Sequence, residues 1–267
     1  MDWYMTPQIL ARYEMVFVPN AACLSDAQCA MLLRYVELGG TLACTHLTSV
    51  ADEYGRPRSD FGLTDVFGAS LIETEPTEYP DLYLKPTTGA LIPQDPQIMR
   101  TRATGGVVEA TTYDRGNRRD LGPAVVTNSF GKGRSIYLAS GLEAIYEETH
   151  MEPVRSYLAS LLLPSLEAGQ TYRVDFTPGV TPHYMASEKS IVLHLLADVG
   201  DKNIHLKVRG TFFPVEAVTV RLRVRGTIKS VSLMSSGASP SMKHDGEWIT
   251  VTVPRVLTYE AVRVDLA

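Results

Sequence analysis

The chain has 267 residues, of which 45% are hydrophobic and 21% are charged, a composition typical of a globular protein with room for two packed cores. Its 25 Lys and Arg against 30 Asp and Glu give a formal net charge of −5, which disfavours nucleic acid and anionic membrane surfaces as partners. No basic segment followed by an apolar core opens the chain, and no apolar run approaches membrane-spanning length. A cytoplasmic location is therefore expected.

The three cysteines, Cys23, Cys29 and Cys44, lie near the start of the chain without the Cys-x-x-Cys or Cys/His spacing of a metal site. An odd number of cysteines also fits no closed disulfide framework. We therefore expect reduced, mostly buried thiols, and we expect neither a metal nor a cofactor.

The first predicted element is a strand, because Met15–Val18 form a short continuous apolar run. A helix follows, in which Ser25 and Gln28 have the spacing of a capping box and Gly39-Gly40 end the helix. Residues 41–45 form the next predicted strand. A strand, a helix and a strand in this order predict a right-handed parallel crossover.

Residues 48–96 are irregular and rich in Pro, Glu, Asp and Thr, which is typical of a functional excursion or of several small elements. Other elements predicted before residue 169 are a helical turn at 60–68, strands at 107–113, 123–128 and 135–139, a hairpin turn at 131–133, and a helix with its apolar face at 154–162.

From residue 169 onward the hydrophobic pattern has period two. Strands are predicted at 191–196, 218–224, 230–234, 248–253 and 261–266, with a hairpin signal at Asp245-Gly246. Several short strands without a helical pattern predict a small antiparallel β-sandwich. The predicted domains are therefore residues 1–168 and 169–267.

A family resemblance is carried by separated pieces of sequence that occur in one order. These are Tyr13, Pro19-Asn20, Leu24-Ser25, Tyr35-Val36, Gly39 to Leu42, Asp52-Glu53, Gly55, Gly62-Leu63, Val66 to Gly68 and Phe130 to Arg134. The chain resembles the trimerisation domain of family 42 β-galactosidase-like glycosyl hydrolases over about its first 165 residues. The resemblance implies an α/β class I glutamine-amidotransferase-like, flavodoxin-like parallel sheet, followed by the small β-sandwich domain.

In those hydrolases the resemblance implies that a TIM barrel of about 250 residues precedes this region and supplies the catalytic carboxylates. Only twelve residues precede Tyr13, where the matching pieces begin. The expected function is a non-catalytic assembly and support region of a glycoside hydrolase, without its TIM barrel. The expected partners are copies of the chain, with a trimer among the candidates, or a TIM-barrel hydrolase domain. Whether the chain has activity of its own stays open.

Cys44 and His46 are the candidate catalytic residues, because an amidotransferase places its nucleophile on a tight elbow after such a strand. The pattern puts Thr45 nearest the elbow and Leu47 where a glycine is needed. A buried strand cysteine is favoured. The alternative is a reactive thiol assisted by His46 in a small Cys-dependent amidase or hydrolase.

Asp52 and Glu53 are the candidate binding residues, because they form a carboxylate pair in the loop after the elbow. In the related hydrolases this loop lies near the subunit assembly, so the resemblance implies contact with a sugar or with a neighbouring active site. Adjacent loop carboxylates that only face solvent are the alternative.

The second predicted domain offers a third functional class, a carbohydrate-binding module. Arg221, Arg223 and Arg225 alternate along one strand, as a partner-binding stripe or an ordinary solvent face would. Trp248 has the chemistry to stack on a sugar, but its alternation with Ile249 favours a place in the core.

Overall fold

A computed structural model gives the fold and describes residues 5–166, 169–175, 177, 179–203 and 208–267. Residue contacts divide the chain into two compact units, Met1–Ala168 and Gly169–Ala267. Among the residues described, no helix combines the length and the apolar character needed to cross a membrane.

The first unit combines short helices with many strands. Its helices are α1 (Pro7–Leu10), α2 (Asp26–Glu37), α3 (Thr64–Phe67), α4 (Leu142–Thr149) and α5 (Glu152–Leu162), followed by a 3-10 turn at Leu163–Leu166. Its strands are β1 (Met15–Val18), β2 (Thr41–Thr45), β3 (Ala69–Leu71), β4 (Thr77–Glu78), β5 (Leu82–Pro86), β6 (Ile92–Pro93), β7 (Gln97–Ile98), β8 (Thr101–Ala103), β9 (Val107–Asp114), β10 (Arg119–Phe130) and β11 (Gly133–Leu138).

Seven of these strands form one mixed sheet in the order β1-β2-β11-β10-β9-β5-β6. β1, β2 and β11 are parallel, with Thr41 of β2 paired to Met15 on one side and Arg134 on the other. From β11 onward every neighbouring pair is antiparallel. The β3–β8 and β4–β7 pairs form separate two-stranded sheets.

The predicted flavodoxin-like parallel sheet is wrong, since the unit is predominantly β and its main sheet is mixed. The reason lies in the connections. β9 and β10 are joined by residues 115–118, and β10 and β11 by Gly131 and Lys132 alone. Such short turns join only antiparallel neighbours, because a parallel neighbour requires a crossover of a dozen or more residues. Between β1 and β2 that crossover is present, as predicted.

Helix α2 begins with the predicted capping box. The Gln28 backbone N–H donates to Ser25 Oγ at 3.2 Å, and the Ser25 N–H donates to Gln28 Oε1 at 2.7 Å. The helix ends at Glu37, and Gly39 follows at φ +121°, where a side chain would be strained. Its buried residues are Cys29, Leu32, Tyr35 and Val36. The prediction of this helix is confirmed.

The core of the first unit lies on both faces of the parallel part of the sheet. Leu42 and Cys44 of β2 pack with α2 and α3 on one face, and Ala43 packs with α4 and α5 on the other. β11 does the same, with Tyr137 on the α2 side and Ile136 on the opposite side. A strand covered on both faces reads as a continuous apolar run, which is why β2 is buried at every residue.

The second unit is built from strands. They are β12 (Tyr172–Val174), β13 (Val180–Ala186), β14 (Ser190–Ala197), β15 (Gly200–Asn203), β16 (Val208–Phe212), β17 (Val215–Arg223), β18 (Ile228–Leu233), β19 (Met242–Asp245), β20 (Trp248–Val256) and β21 (Tyr259–Leu266).

Two four-stranded antiparallel sheets enclose the core of this unit, in the orders β12-β17-β20-β19 and β13-β14-β21-β18. Val220 of β17 and Val251 of β20 come from the first sheet, and Leu193 of β14 and Val262 of β21 from the second. All four are fully buried in one cluster, so the two sheets pack face to face.

Candidate functional site

The predicted catalytic residues lie where β1, β2 and β11 end. Because these strands are parallel, their carboxyl ends meet at one edge of the sheet, which is where ligands bind in open α/β sheets. Cys44 is near the end of β2 and His46 directly follows that strand. This edge of the sheet is therefore the candidate functional site.

Cys44 lies inside the core of the first unit, packed in the same cluster as Cys29 and Tyr137. Its side chain is fully buried, and burial raises the pKa of the thiol well above its usual value, with Cys29 adding to the rise. A thiol becomes a nucleophile only as the thiolate. Cys44 is therefore held in its unreactive, protonated form.

His46 adopts φ +50°, which turns the chain out of β2. Its backbone N–H donates to the Leu138 carbonyl at 2.8 Å, and its carbonyl accepts from Tyr137 Oη at 2.7 Å. The residue is only 7% exposed, and burial lowers the pKa of the imidazole although Asp95 opposes that effect. Its Nε2 is buried and has no hydrogen-bond partner among the described residues.

Thr45 occupies the elbow position, and its hydroxyl joins three segments of the chain. Thr45 Oγ1 donates to Glu143 Oε1 at 2.6 Å and accepts from the Asn20 backbone N–H at 3.0 Å. Asn20 in turn accepts from the Leu47 N–H through its Oδ1 at 3.2 Å. The Thr45 hydroxyl thus links the turn after β1 to the first turn of α4, and the Asn20 side chain links the turn after β1 to the turn after β2.

Glu143 brings a perturbed carboxyl to this edge. Burial raises its pKa, the hydrogen bond from Thr45 lowers it, and nearby Asp95 raises it again. Glu143 Oε2 is buried and lacks a partner within the described chain. We call Asn20, Thr45, His46, Asp95 and Glu143 together the Thr45 cluster.

The Thr45 cluster is built to hold its segments together. The Thr45 side chain is fully buried, so no substrate reaches its hydroxyl, and the imidazole beside it is kept neutral. Among the residues that the structure describes, no hydrogen bond links Cys44 to His46. Covalent catalysis needs a nucleophile that the substrate can reach. Cys44 and Thr45 are both fully buried, so this edge fixes its loops by polar contacts without presenting either group to a substrate.

Asp52 and Glu53, the predicted binding residues, follow in the next loop. Asp52 Oδ1 accepts from the backbone N–H groups of Tyr54 and Arg56, both at 2.9 Å, and the bond from Arg56 is the main cause that lowers the Asp52 pKa. Glu53 is exposed beside it. Asp52 therefore shapes the loop, while the tip presents Tyr54, which is 76% exposed with the Arg56 guanidinium 5.3 Å from its ring centroid.

Sequence reasoning missed Glu143 and Asp95. Neither lies within a recognisable motif. Glu143 bonds Thr45, and Asp95 acts on the His46 pKa, only because the fold brings distant segments together. One usable signal was position, since Glu143 lies in the first turn of α4, shortly after the end of β11. Parallel strands bring such residues to one edge.

A protein-family model described as the beta-galactosidase trimerisation domain matches residues 2–151. The match covers more than half of the chain, including the whole of the Thr45 cluster.

Solved structures with this fold include several glycosidases. Alpha-L-fucosidase isoenzyme 2 from Paenibacillus thiaminolyticus aligns with a TM-score of 0.75 and 16% identity, over 96% of this chain and 41% of that one. Gan42B, a GH42 beta-galactosidase from G. stearothermophilus, aligns with a TM-score of 0.66 and 19% identity, over 96% of this chain and 32% of Gan42B. The beta-galactosidase from Bacillus circulans sp. alkalophilus aligns with a TM-score of 0.63 and 14% identity, over 95% of this chain and 33% of that enzyme.

These structural likenesses concern the fold alone, because the identities are low. This chain spans less than half the length of each of the three proteins.

Proposed function

Because the chain belongs to the beta-galactosidase trimerisation domain family, we propose that it is a non-catalytic assembly region of a glycoside hydrolase that holds copies of itself in a homotrimer. The observation that carries this proposal is the family match over residues 2–151. The catalytic carboxylates of such an enzyme would then come from a TIM-barrel domain that this assembly supports.

The chemistry of the sheet edge supports a role without catalysis. A nucleophile must be reachable and activated, yet Cys44 is buried with a raised thiol pKa and Thr45 is buried with its hydroxyl committed to Glu143. Their burial weighs against the alternative of a small Cys-dependent amidase or hydrolase.

We further propose where the copies meet. Tyr13 and Leu38 are 57% and 59% exposed, and both line a pocket of about 250 Å³ beside α1 and α2. Arg34 and Glu14 also line it, which gives an apolar centre with charged neighbours. Exposed apolar surface bordered by polar residues is typical of protein–protein contact sites. We call this the α1–α2 surface.

The adjoining edge of the main sheet extends the α1–α2 surface. β1 is the outermost strand and pairs only with β2 among the described strands, so one row of its backbone groups has no strand neighbour there. Its Phe17 is exposed. An unprotected apolar edge strand invites association with another chain. Tyr13 and Glu14 of the pocket directly precede β1 in the chain, so we add this edge to the candidate contact.

The experiment is a sedimentation comparison of Leu38→Glu with the wild type. A charge at the centre of an apolar contact must be desolvated or expelled, so Leu38→Glu should shift the chain toward monomer at a given concentration. Val107→Glu is the matched control, because Val107 is 62% exposed but lies on β9, toward the other side of the sheet. A trimer that survives Leu38→Glu, or that Val107→Glu disrupts equally, contradicts the proposed contact.

A parallel assay addresses catalysis. The purified chain should not hydrolyse a chromogenic β-galactoside or a glutamine amide, because Cys44 and Thr45, the candidate attacking groups, are both buried. Turnover that disappears on Thr45→Val or Cys44→Ala would contradict the proposal.

A further inference from the structure

One face of the second unit gathers arginines around an aromatic ring. The sheet β12-β17-β20-β19 turns Val220 and Leu222 of β17 into the core, so Arg221 and Arg223 point to the opposite side. Trp248 pairs with Arg223 across the strands, and its neighbour Ile249 is buried. Trp248 therefore lies on the outer face, and the prediction that placed it in the core is wrong.

The guanidinium groups of three arginines lie close to the Trp248 ring. Their Cζ atoms are 5.5 Å from the ring centroid for Arg173, 5.5 Å for Arg221 and 6.0 Å for Arg223. These distances are within the range of cation–π attraction. We call Arg173, Arg221, Arg223 and Trp248 the Trp248 face.

The three arginines differ in how their donors are used. Arg223 Nε donates to Glu247 Oε2 at 2.8 Å, and Arg173 Nε donates to Gln170 Oε1. Arg221 makes no hydrogen bond within the described chain, and its Nε is buried without a partner. Its ion pair with Asp245 is long, with 3.6 Å between Nη2 and Oδ2, and the Asp245 side chain is 82% exposed.

The unit that carries the Trp248 face has an excess of positive charge. Residues 169–267 carry twelve Lys and Arg against nine Asp and Glu, whereas residues 1–168 carry thirteen against twenty-one. The second unit is thus the positive part of a chain whose net charge is −5. A local excess of positive charge attracts an anionic ligand even when the whole chain is acidic.

We propose that the Trp248 face binds an acidic saccharide, with the guanidinium of Arg221 donating hydrogen bonds to its carboxylate or sulfate. A guanidinium presents planar donors that match two oxygens of such a group, and contact with the indole holds the guanidinium in place before the ligand arrives. The choice of a saccharide rests on the proposed function, whereas the oxyanion site rests on the geometry. A neutral sugar is not expected to bind, because three guanidiniums already surround the indole.

The test is isothermal titration of the whole chain at low ionic strength with four probes: a trigalacturonate, a sulfated galacto-oligosaccharide, neutral galactotriose and inorganic sulfate. The two acidic oligosaccharides should bind and galactotriose should not. Arg221→Gln should weaken binding about tenfold, since it removes a charge-assisted hydrogen bond. Asp245→Asn should strengthen binding, because it removes a competing carboxylate from an exposed position.

Arg255→Gln is the matched control. Arg255 lies on the same sheet and pairs with Glu216 at 3.7 Å, but it is at the other end of β20. It should leave the dissociation constants unchanged. If Arg221→Gln fails to fold, Asp245→Asn still decides the matter, because only an anion site gains affinity from that change.

Three results would overturn the inference: equal binding of the neutral trisaccharide, equal losses in Arg221→Gln and Arg255→Gln, or binding of inorganic sulfate alone. Sedimentation of the same samples separates this inference from the proposed function. A trimer that binds no acidic saccharide overturns only the inference. A strict monomer that binds one contradicts only the assembly role.

Discussion

Thr45→Val should loosen the edge of the sheet where three segments of the first unit meet. Valine has nearly the shape of threonine, so the change removes the hydroxyl without opening a cavity. The Asn20 N–H loses its acceptor and Glu143 Oε1 loses its donor. Each unsatisfied buried polar group costs about 1–3 kcal/mol, and both groups are part-buried, so we expect a total destabilisation of about 2–4 kcal/mol.

Hydrogen exchange followed by mass spectrometry measures this effect locally. Peptides that cover Asn20 and Leu47 should exchange faster in Thr45→Val, whereas peptides from β17 and β20 of the second unit should not change. Thr45→Ser is the control, because it keeps the hydroxyl and loses one methyl group, worth about 0.8 kcal/mol. A change below about 0.5 kcal/mol in Thr45→Val, or one no larger than in Thr45→Ser, would refute the reasoning.

Burial also determines how His46, Cys44 and Phe67 of the first unit should respond to perturbation. Burial lowers the pKa of His46 from 6.5, so on acidification the unfolded chain binds the proton first and the stability of the fold falls as the pH drops below 6.5. His46→Asn, in which Asn tolerates φ +50°, should reduce this pH dependence of the unfolding free energy in urea by up to about 1.4 kcal/mol per pH unit. An unchanged pH dependence in the variant would contradict the prediction. Cys44 should resist iodoacetamide in the native state while exposed Cys23 reacts, as peptide mapping will show; rapid labelling of Cys44 contradicts its burial. Phe67→Ala should lower the free energy of unfolding by about 3–5 kcal/mol in thermal or urea unfolding, because Phe67 is fully buried and stacks on Tyr137 with 4.7 Å between the ring centroids. A decrease of less than about 1 kcal/mol would contradict that packing.

Local signals in the sequence predicted local structure well. The Ser25–Gln28 capping box and Gly39-Gly40 gave helix α2 because caps depend on residues a few positions apart. The hairpin signal Asp245-Gly246 likewise gave the β19–β20 turn, where Asp245 pairs with Trp248. Such features need no knowledge of the rest of the fold.

The directions of the strands in the main sheet were predicted wrongly, although the sequence contained signals for them. The short turns at 131–133 and after residue 114 already required antiparallel neighbours. The parallel direction indicated by the strand–helix–strand unit at 15–45 holds only for β1, β2 and β11 and not for the whole sheet. The resemblance identified the family correctly and carried with it a description of the fold that the strand order contradicts.

The site residues show a second limit. Alternation along β20 predicts that Trp248 and Ile249 face opposite sides of the sheet, but it does not say which side faces solvent. The solvent-facing side is identified by Arg221 and Arg223, which belong to the neighbouring strand β17. The contact of Thr45 with Glu143 spans 98 positions, so no local pattern contains it.

The mass of the chain in solution tests the central claim most directly. Sedimentation equilibrium over a wide concentration series should give a species of three times the 29.4 kDa chain mass, dissociating to monomer on dilution. A chain that stays at 29.4 kDa at every concentration, alone and with a TIM-barrel glycoside hydrolase domain present, would contradict the assembly role.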